Sequence, residues 1–332
     1  METRIAGTSE LRLTRIGLGL AALGRPGYVN LGHAADLDRD YDIAAMRDHA
    51  ASVLDAAWNA GIRYIDTARS YGRAEEFLAH WLATRGRRPE QVTIGSKWGY
   101  TYTADWRTDA DVHEVKDHTL PTLQRQIEES VATLGDWIDL YQIHSATIDS
   151  GVLDRADVLD ALAMLRADRG WAIGLSLSGA SSRETLERAL TVERDGVRLF
   201  TAVQATWNIL EPSLSAILAE AHRAGLAVIA KETLANGRLT DRNDDAAFAP
   251  SRAVLEAHAG RLGCSIDQLA LAAVLDNAWV DCVLSGAATI AQLKSNIGAL
   301  AIRLDDDARS ALAALAESPA KYWSKRGELE WN

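Results

Sequence analysis

The chain has 332 residues, with 35 Lys and Arg against 46 Asp and Glu, for a formal net charge of −11. That length suits one large α/β domain or two ordinary ones, and an acidic chain without a basic cluster lacks the electrostatic footprint of a duplex-nucleic-acid binder. Hydrophobic residues at 48% and charged residues at 24% exclude a disordered chain, and no apolar run reaches the roughly 18 residues of a membrane span. Residues 1–10 carry no apolar signal core, and two cysteines, Cys264 and Cys282, provide neither a disulfide framework nor a metal cluster. A cytoplasmic protein without a metal is expected, with no nucleic-acid or membrane partner.

Short apolar, strand-like runs recur along the chain. In order they are 15–20, 63–66, 91–96, 138–143, 172–176, 199–204, 226–230 and 280–284. Between them lie helical spacings, such as Leu120, Leu123, Ile127, Val131 and Leu134, and then Leu214, Ile217, Leu218 and Ala221. Alternation of strand and helix means parallel strands joined by crossover helices. Gly61, Gly170 and Gly225 stand between a helix and the following strand, where glycine takes the left-handed conformation that satisfies the last carbonyls. Eight such units predict a closed (β/α)8 TIM barrel, a single α/β domain over 1–332 with a tail from about 318. The turn at Gly17-Leu18-Gly19 lacks the third glycine of a dinucleotide fingerprint, so an open Rossmann sheet fits less well. Three long connections, 21–40, 98–118 and 231–250, all follow a strand and therefore belong on the C-terminal rim, where barrels build their active sites. The second is rich in aromatics, Trp98, Tyr100, Tyr102 and Trp106. The tail, with Tyr322, Trp323 and Trp331, is long enough to return over the same mouth.

Polar residues at the ends of apolar strands need a reason to be there. Asp66 ends the second strand, Lys97 the third and His144 the fourth. Singly, Asp66 can cap a helix, Lys97 can reach solvent and His144 can sit satisfied in a core. Jointly, successive barrel strands bring all three to one rim, with Tyr71 five residues beyond Asp66. Asp66 would fix Lys97 by an ion pair, and Lys97 beside the phenol is expected to lower the Tyr71 pKa, making it a usable general acid. His144 would orient a substrate carbonyl oxygen. These groups polarise a carbonyl and deliver a proton but supply no electrons, so a hydride donor must come from a cofactor.

The segment Asp66-Thr67-Ala68, two residues, Tyr71-Gly72, followed by Lys97 and His144 one and two strands later, resembles the aldo-keto reductases from about Gly17 to Leu300. The resemblance implies a TIM barrel and NAD(P)H-dependent reduction of an aldehyde or ketone, a small carbonyl compound or an open-chain sugar. Asp66, Tyr71, Lys97 and His144 would be catalytic, with Tyr71 as proton donor and no metal. It assigns Ser176 and Gln204 to the nicotinamide amide, with Leu177 where the family has Asn. It puts Lys231 where the family stacks an aromatic on the nicotinamide, leaving pairing with Glu232 or a reach to the pyrophosphate open. Gly19 and Leu234 complete that end. Residues Leu284–Asn296 resemble the segment that opens a helix on the adenosine phosphate, so Gly286, Thr289, Gln292 and Asn296 are cofactor-binding candidates. Gly286 and Gln292 replace the usual cations for a 2′-phosphate, so NADP is the expected cofactor with NAD as its alternative, while Lys294 is expected to be solvated. Two other readings stand beside reduction: a redox-neutral enzyme in which Tyr71 and Lys97 only move protons, and a cofactor-binding regulatory subunit.

Overall fold

The computed structural model of the chain describes residues 1–332. Eight parallel strands close into a barrel: Ile16–Gly19, Tyr64–Asp66, Thr93–Trp98, Ile138–Ala146, Ala172–Leu177, Ala202–Thr206, Ala227–Lys231 and Cys282–Ser285. Each is hydrogen-bonded to its sequence neighbours, and the eighth pairs with the first through Val283 opposite Ile16 and Ser285 opposite Leu18. The third and fifth strands are buried at every position, as expected where helices cover one face and the barrel interior the other. The (β/α)8 architecture read from the strand count is the one observed. Gly61, Gly170 and Gly225 all have positive φ, at 87°, 71° and 89°.

Three hairpins decorate the barrel. Thr3–Ala6 with Leu11–Thr14 plugs the bottom, placing Ala6, Leu11 and Leu13 in one apolar cluster with Tyr64, Leu140 and Ile229 of the barrel interior. Tyr100–Tyr102 with Glu114–Lys116 rises from the third connection at the top, and Glu193–Arg194 with Val197–Arg198 forms a small ribbon. Trp98 belongs to the third strand and not to the rim: it is fully buried, edge-on to His118 at 5.6 Å between ring centroids. The barrel interior is shaped around Tyr64. A Cβ on Gly95 would lie 2.6 Å from the Tyr64 hydroxyl, and one on Gly17 would lie 2.7 Å from its ring. The room left by these glycines lets Tyr64 reach the floor of the pocket.

The chain ends at the mouth. Helix Pro319–Gly327 buries Tyr322, whose hydroxyl accepts from Asn208 Nδ2 at 2.9 Å. Trp331 then stacks on His113 of the rim connection, with centroids 4.2 Å apart and planes 4° from parallel, above the Arg25 guanidinium at 4.7 Å. Asn332 exchanges backbone hydrogen bonds with Tyr28 and accepts from the Ala34 amide at 3.3 Å.

Candidate active site

Strand geometry delivers the first groups. Asp66 and Lys97 lie at the upper ends of neighbouring strands, and both side chains are buried, at 3% and 0% exposure. Lys97 Nζ donates to Asp66 Oδ1, and to the Thr67 carbonyl at 2.9 Å. The other carboxylate oxygen accepts from Gln204 Nε2 at 2.8 Å, Tyr64 Oη at 3.1 Å and Gln142 Nε2 at 3.4 Å. A buried carboxylate needs this many partners, because each unmet lone pair would leave charge uncompensated in a poorly polarisable interior.

Tyr71 stands above this pair. Its hydroxyl lies 3.4 Å from Lys97 Nζ and 3.5 Å from His144 Nε2, and its ring meets the imidazole edge-on at 5.4 Å. A β-bulge in the fourth strand, between Ile143 and Ala146, lifts His144 toward the mouth. The bulge leaves Ser145 at φ 51°, and its amide is satisfied by Ser176 Oγ at 2.8 Å. His118 Nε2 lies 2.9 Å from the His144 carbonyl oxygen; burial holds the His118 imidazole down to about 4, so it stays neutral and can donate there. The three residues expected from the strand ends, and Tyr71 beyond the second strand, thus meet at one place.

Their electrostatics differ from expectation at one point. The Tyr71 pKa lies well above that of free tyrosine, not below it. Burial raises it most and the Asp66 carboxylate raises it further, while the Lys97 charge is largely spent on Asp66. Burial also lowers the Lys97 pKa, with Asp66 working the other way. His144 is pushed well below its ordinary range, first by burial and then by Lys97, Lys231 and Arg25, so its imidazole is neutral near pH 7. Ser70 Oγ sits 3.3 Å from Nδ1; a hydrogen bond donated by Ser70 there leaves Nε2 protonated and facing the pocket.

The pocket above is a cavity of about 510 Å³ that runs from Tyr71 and His144 to the N-terminal end of helix Ile290–Gly298. The chain matches the family described as the aldo/keto reductase family over residues 15–317. It belongs to that family. It is 26% identical to the NADH-specific methylglyoxal reductase of Escherichia coli, covering 94% of this chain and 97% of that one. It is 25% identical to the aldo-keto reductase ausK of Emericella nidulans, over 91% of this chain and 78% of that one. A 32% identical match to the D-threo-aldose 1-dehydrogenase of a Pseudomonas species spans 52% and 56%. Among solved structures, an aldo-keto reductase from Bacillus halodurans in its holo form superposes with a TM-score of 0.71 at 22% identity, over 96% and 97% of the two chains. The chain is an NAD(P)-dependent oxidoreductase of this family.

The pocket of this aldo-keto reductase fits an elongated nucleotide. Gly19, Lys231, Leu234, Gly286, Gln292 and Asn296 all line it, and the space in front of Gly286 is open where any Cβ would project. Other expected contacts have different work. Ser176 lies behind the wall, holding the bulge amide of Ser145, while Ser145 and Ser178 line the cavity. Gln204 lines the cavity but spends its amide on Asp66. Leu177 is buried in the core. Thr289 caps its helix, accepting from the Gln292 amide at 3.2 Å, and does not face the cavity. Gln292 accepts from the Ala288 amide at 2.8 Å and donates to Asp36 Oδ2 at 2.9 Å. Asn296 donates to Ser285 Oγ at 2.8 Å, and Lys294 is exposed as expected. Lys231 is within 4 Å of no carboxylate; its ammonium donates to Thr206 Oγ1 at 3.1 Å.

Several lining residues carry no strand-end signal in the sequence. Arg25, buried, donates to the Ser70 carbonyl and to Glu114 Oε2, each at 2.9 Å, with its guanidinium 5.4 Å from the Tyr71 ring centroid. Arg326 of the last helix pairs with Glu232 at 2.9 Å. Arg242 spans to Asp36 through 2.5 and 2.7 Å contacts, joining two rim connections at the end of the cavity next to helix Ile290–Gly298.

Proposed function

We propose that this aldo-keto reductase reduces an aldehyde or ketone, a small polar carbonyl compound or open-chain sugar, to the alcohol, with Tyr71 as general acid. The observation that carries the reading is the convergence of Tyr71 Oη and His144 Nε2, 3.5 Å apart, at the inner end of a nucleotide-sized cavity. Two donors at that spacing can hold one carbonyl oxygen, which draws electron density from its carbon. A bound nicotinamide nucleotide supplies the hydride.

The raised Tyr71 pKa gives this acid its timing. The phenol keeps its proton at neutral pH and surrenders it only to an oxygen more basic than phenolate, which describes the alkoxide formed as the carbonyl is reduced. Lys97 Nζ, at 3.4 Å, then meets the negative charge left on the phenolate, and Asp66 holds the ammonium in place. Neutral His144 orients the oxygen without competing for the proton. Arg25 lines the cavity beside Tyr71, and the Trp331 ring packs on its guanidinium at 4.7 Å.

The polar wall supports a polar substrate: Arg25, Tyr28, Asn30, Glu114 and Ser145 surround the reacting end. The relatives named for methylglyoxal and aldose support the same size and polarity. Asp66, Tyr71, Lys97 and His144 are the proposed catalytic residues. Gly19, Gln204, Lys231, Leu234, Gly286, Gln292 and Asn296 are the proposed cofactor contacts, and Ser176 and Thr289 hold backbone behind them. NADP is the proposed nucleotide and NAD its alternative: one guanidinium, Arg242, lines the adenosine end, and it is shared with Asp36. A cytoplasmic location completes the proposal. Titration with NADPH and NADH, followed by the fluorescence of the ten tryptophans and by turnover of a panel of small aldehydes, tests it. Cofactor binding with aldehyde reduction is expected; binding without turnover would overturn carbonyl reduction in favour of a regulatory subunit.

A further inference from the structure

The inner end of the cavity holds an uneven set of charges. Arg25, Lys97, Lys231 and Arg326 face Asp66, Glu114 and Glu232. Three cations are matched one to one: Lys97 to Asp66, Arg25 to Glu114 at 2.9 Å and Arg326 to Glu232 at 2.9 Å. Lys231 is left over. It ends the seventh strand beside Thr206 of the sixth, lines the cavity, and uses one of its three donors, on the Thr206 hydroxyl. Burial works against ionisation of Glu232, yet Lys231 and Arg326 hold its carboxyl down to about 2. That carboxylate helps keep Lys231 charged against the burial that lowers its pKa, while its own hydrogen bonds go to Arg326 and Thr206. The field of the ammonium reaches the catalytic groups, since Lys231 is among the charges that depress His144.

A hydride donor has to lie within van der Waals reach of the carbonyl carbon, whose oxygen is held by Tyr71 and His144. It therefore shares this end of the cavity with Lys231. A dihydronicotinamide ring is neutral; after it gives up a hydride, which leaves with both electrons, the ring carries one positive charge. We propose that Lys231 makes the site selective for the redox state of its cofactor, accepting the neutral reduced ring and repelling the cationic oxidised one, so that the free enzyme loads reduced cofactor in preference to oxidised and expels spent cofactor. This proposal rests on the reductase reading. The interaction between two like charges several Å apart in a partly screened interior is ample for about a tenfold discrimination. By linkage, a tenfold ratio of the two affinities raises the two-electron potential of the bound couple by about 30 mV, so the selectivity speeds cofactor exchange and lowers the driving force of hydride transfer on the enzyme by the same factor.

The test is a set of four dissociation constants, for NADPH, NADP⁺, NADH and NAD⁺, measured by tryptophan fluorescence on the wild type, Lys231→Met and Lys231→Arg. The wild type should bind each reduced form more tightly than its oxidised partner. Lys231→Met should strengthen oxidised-form binding by about tenfold while moving reduced-form binding by less than about threefold. Lys231→Arg should retain the wild-type ratio. An unchanged ratio in Lys231→Met overturns the proposal. Equal weakening of both forms also overturns it, by making Lys231 an anchor for the phosphates. If neither redox form binds the wild type, the reductase reading itself fails, whereas equal binding of both leaves that reading standing and defeats only this one. The reverse reaction with an alcohol at limiting oxidised cofactor gives a second readout, expected to gain in Lys231→Met through a lower KM for that cofactor and not in Lys231→Arg.

Discussion

Replacing Lys97 by Met removes the positive member of a pair whose side chains are 0% and 3% exposed. Breaking a buried ion pair from one side costs about 3–5 kcal/mol, because the remaining charge stays buried and uncompensated. Asp66 retains Gln204 Nε2 at 2.8 Å and Tyr64 Oη at 3.1 Å as donors of ordinary length. Each is worth about 1 kcal/mol net, so the loss should fall at the low end, about 3 kcal/mol. For a chain of this size that corresponds to a Tm lower by about 4 °C. The double variant Lys97→Met with Asp66→Asn removes both charges and should recover more than half of the loss, since a buried pair exchanged for neutral groups is close to neutral in stability. Thermal unfolding followed by tryptophan fluorescence measures both, and aldehyde turnover should be lost in both. A Lys97→Met protein that melts with the wild type, and gains nothing from Asp66→Asn, would mean that Asp66 carries no charge in the folded site.

Burial raises the Asp139 carboxyl to about 6, with the Ile94 amide, which donates to Oδ2 at 2.8 Å, working against the shift. A folded-state pKa above the unfolded value means that the folded protein holds this proton more tightly, so the group gives stability as pH falls through about 6 and carries its full penalty at neutral pH. Asp139→Asn, which keeps an acceptor for Ile94, should therefore stabilise by about 1–2 kcal/mol at pH 7 and by little near pH 4, measured as Tm against pH. Gly24→Ala would put a Cβ 2.3 Å from the Tyr71 carbonyl oxygen and 2.4 Å from the Ala74 Cβ. Both are fixed by the chain, so a destabilisation of about 3 kcal/mol and a kcat loss larger than the loss in cofactor affinity are expected from melting and kinetics. Trp331→Ala loses the His113 stack and the Arg25 contact; KM for the carbonyl substrate should rise by more than kcat falls, with about 1 kcal/mol less stability.

The barrel was legible because each strand is a short apolar run and each crossover a helical spacing, both local signals. The catalytic side chains were legible for a related reason: Asp66, Lys97 and His144 are polar residues that interrupt apolar runs at the strand ends. Their pKa directions were not. The acid strength of Tyr71 depends on whether Lys97 gives its charge to the phenol or to Asp66, and that is decided by three-dimensional distances. Arg25, Glu114 and Arg326 lie in rim connections or in the tail, where no periodicity marks a pocket-facing residue. Ser176 was misplaced because the β-bulge that it satisfies shifts the ladder between Ile143 and Ala146, a register change invisible in the sequence. Trp98 reads as part of an aromatic connection, yet the third strand continues through it into the core.

The central claim is that the Tyr71 hydroxyl donates the proton. Tyr71→Phe deletes that oxygen and leaves the ring, with its edge contact to His144, in place; the lost contacts are long, at 3.4 and 3.5 Å, so folding should be little affected. Single-turnover reduction of an aldehyde by Tyr71→Phe, with cofactor affinity measured on the same sample, is the direct measurement. The rate should fall by about 10²–10⁴-fold while the dissociation constant of the reduced cofactor stays within about twofold. A rate close to that of the wild type, with the cofactor bound as tightly, would contradict the account.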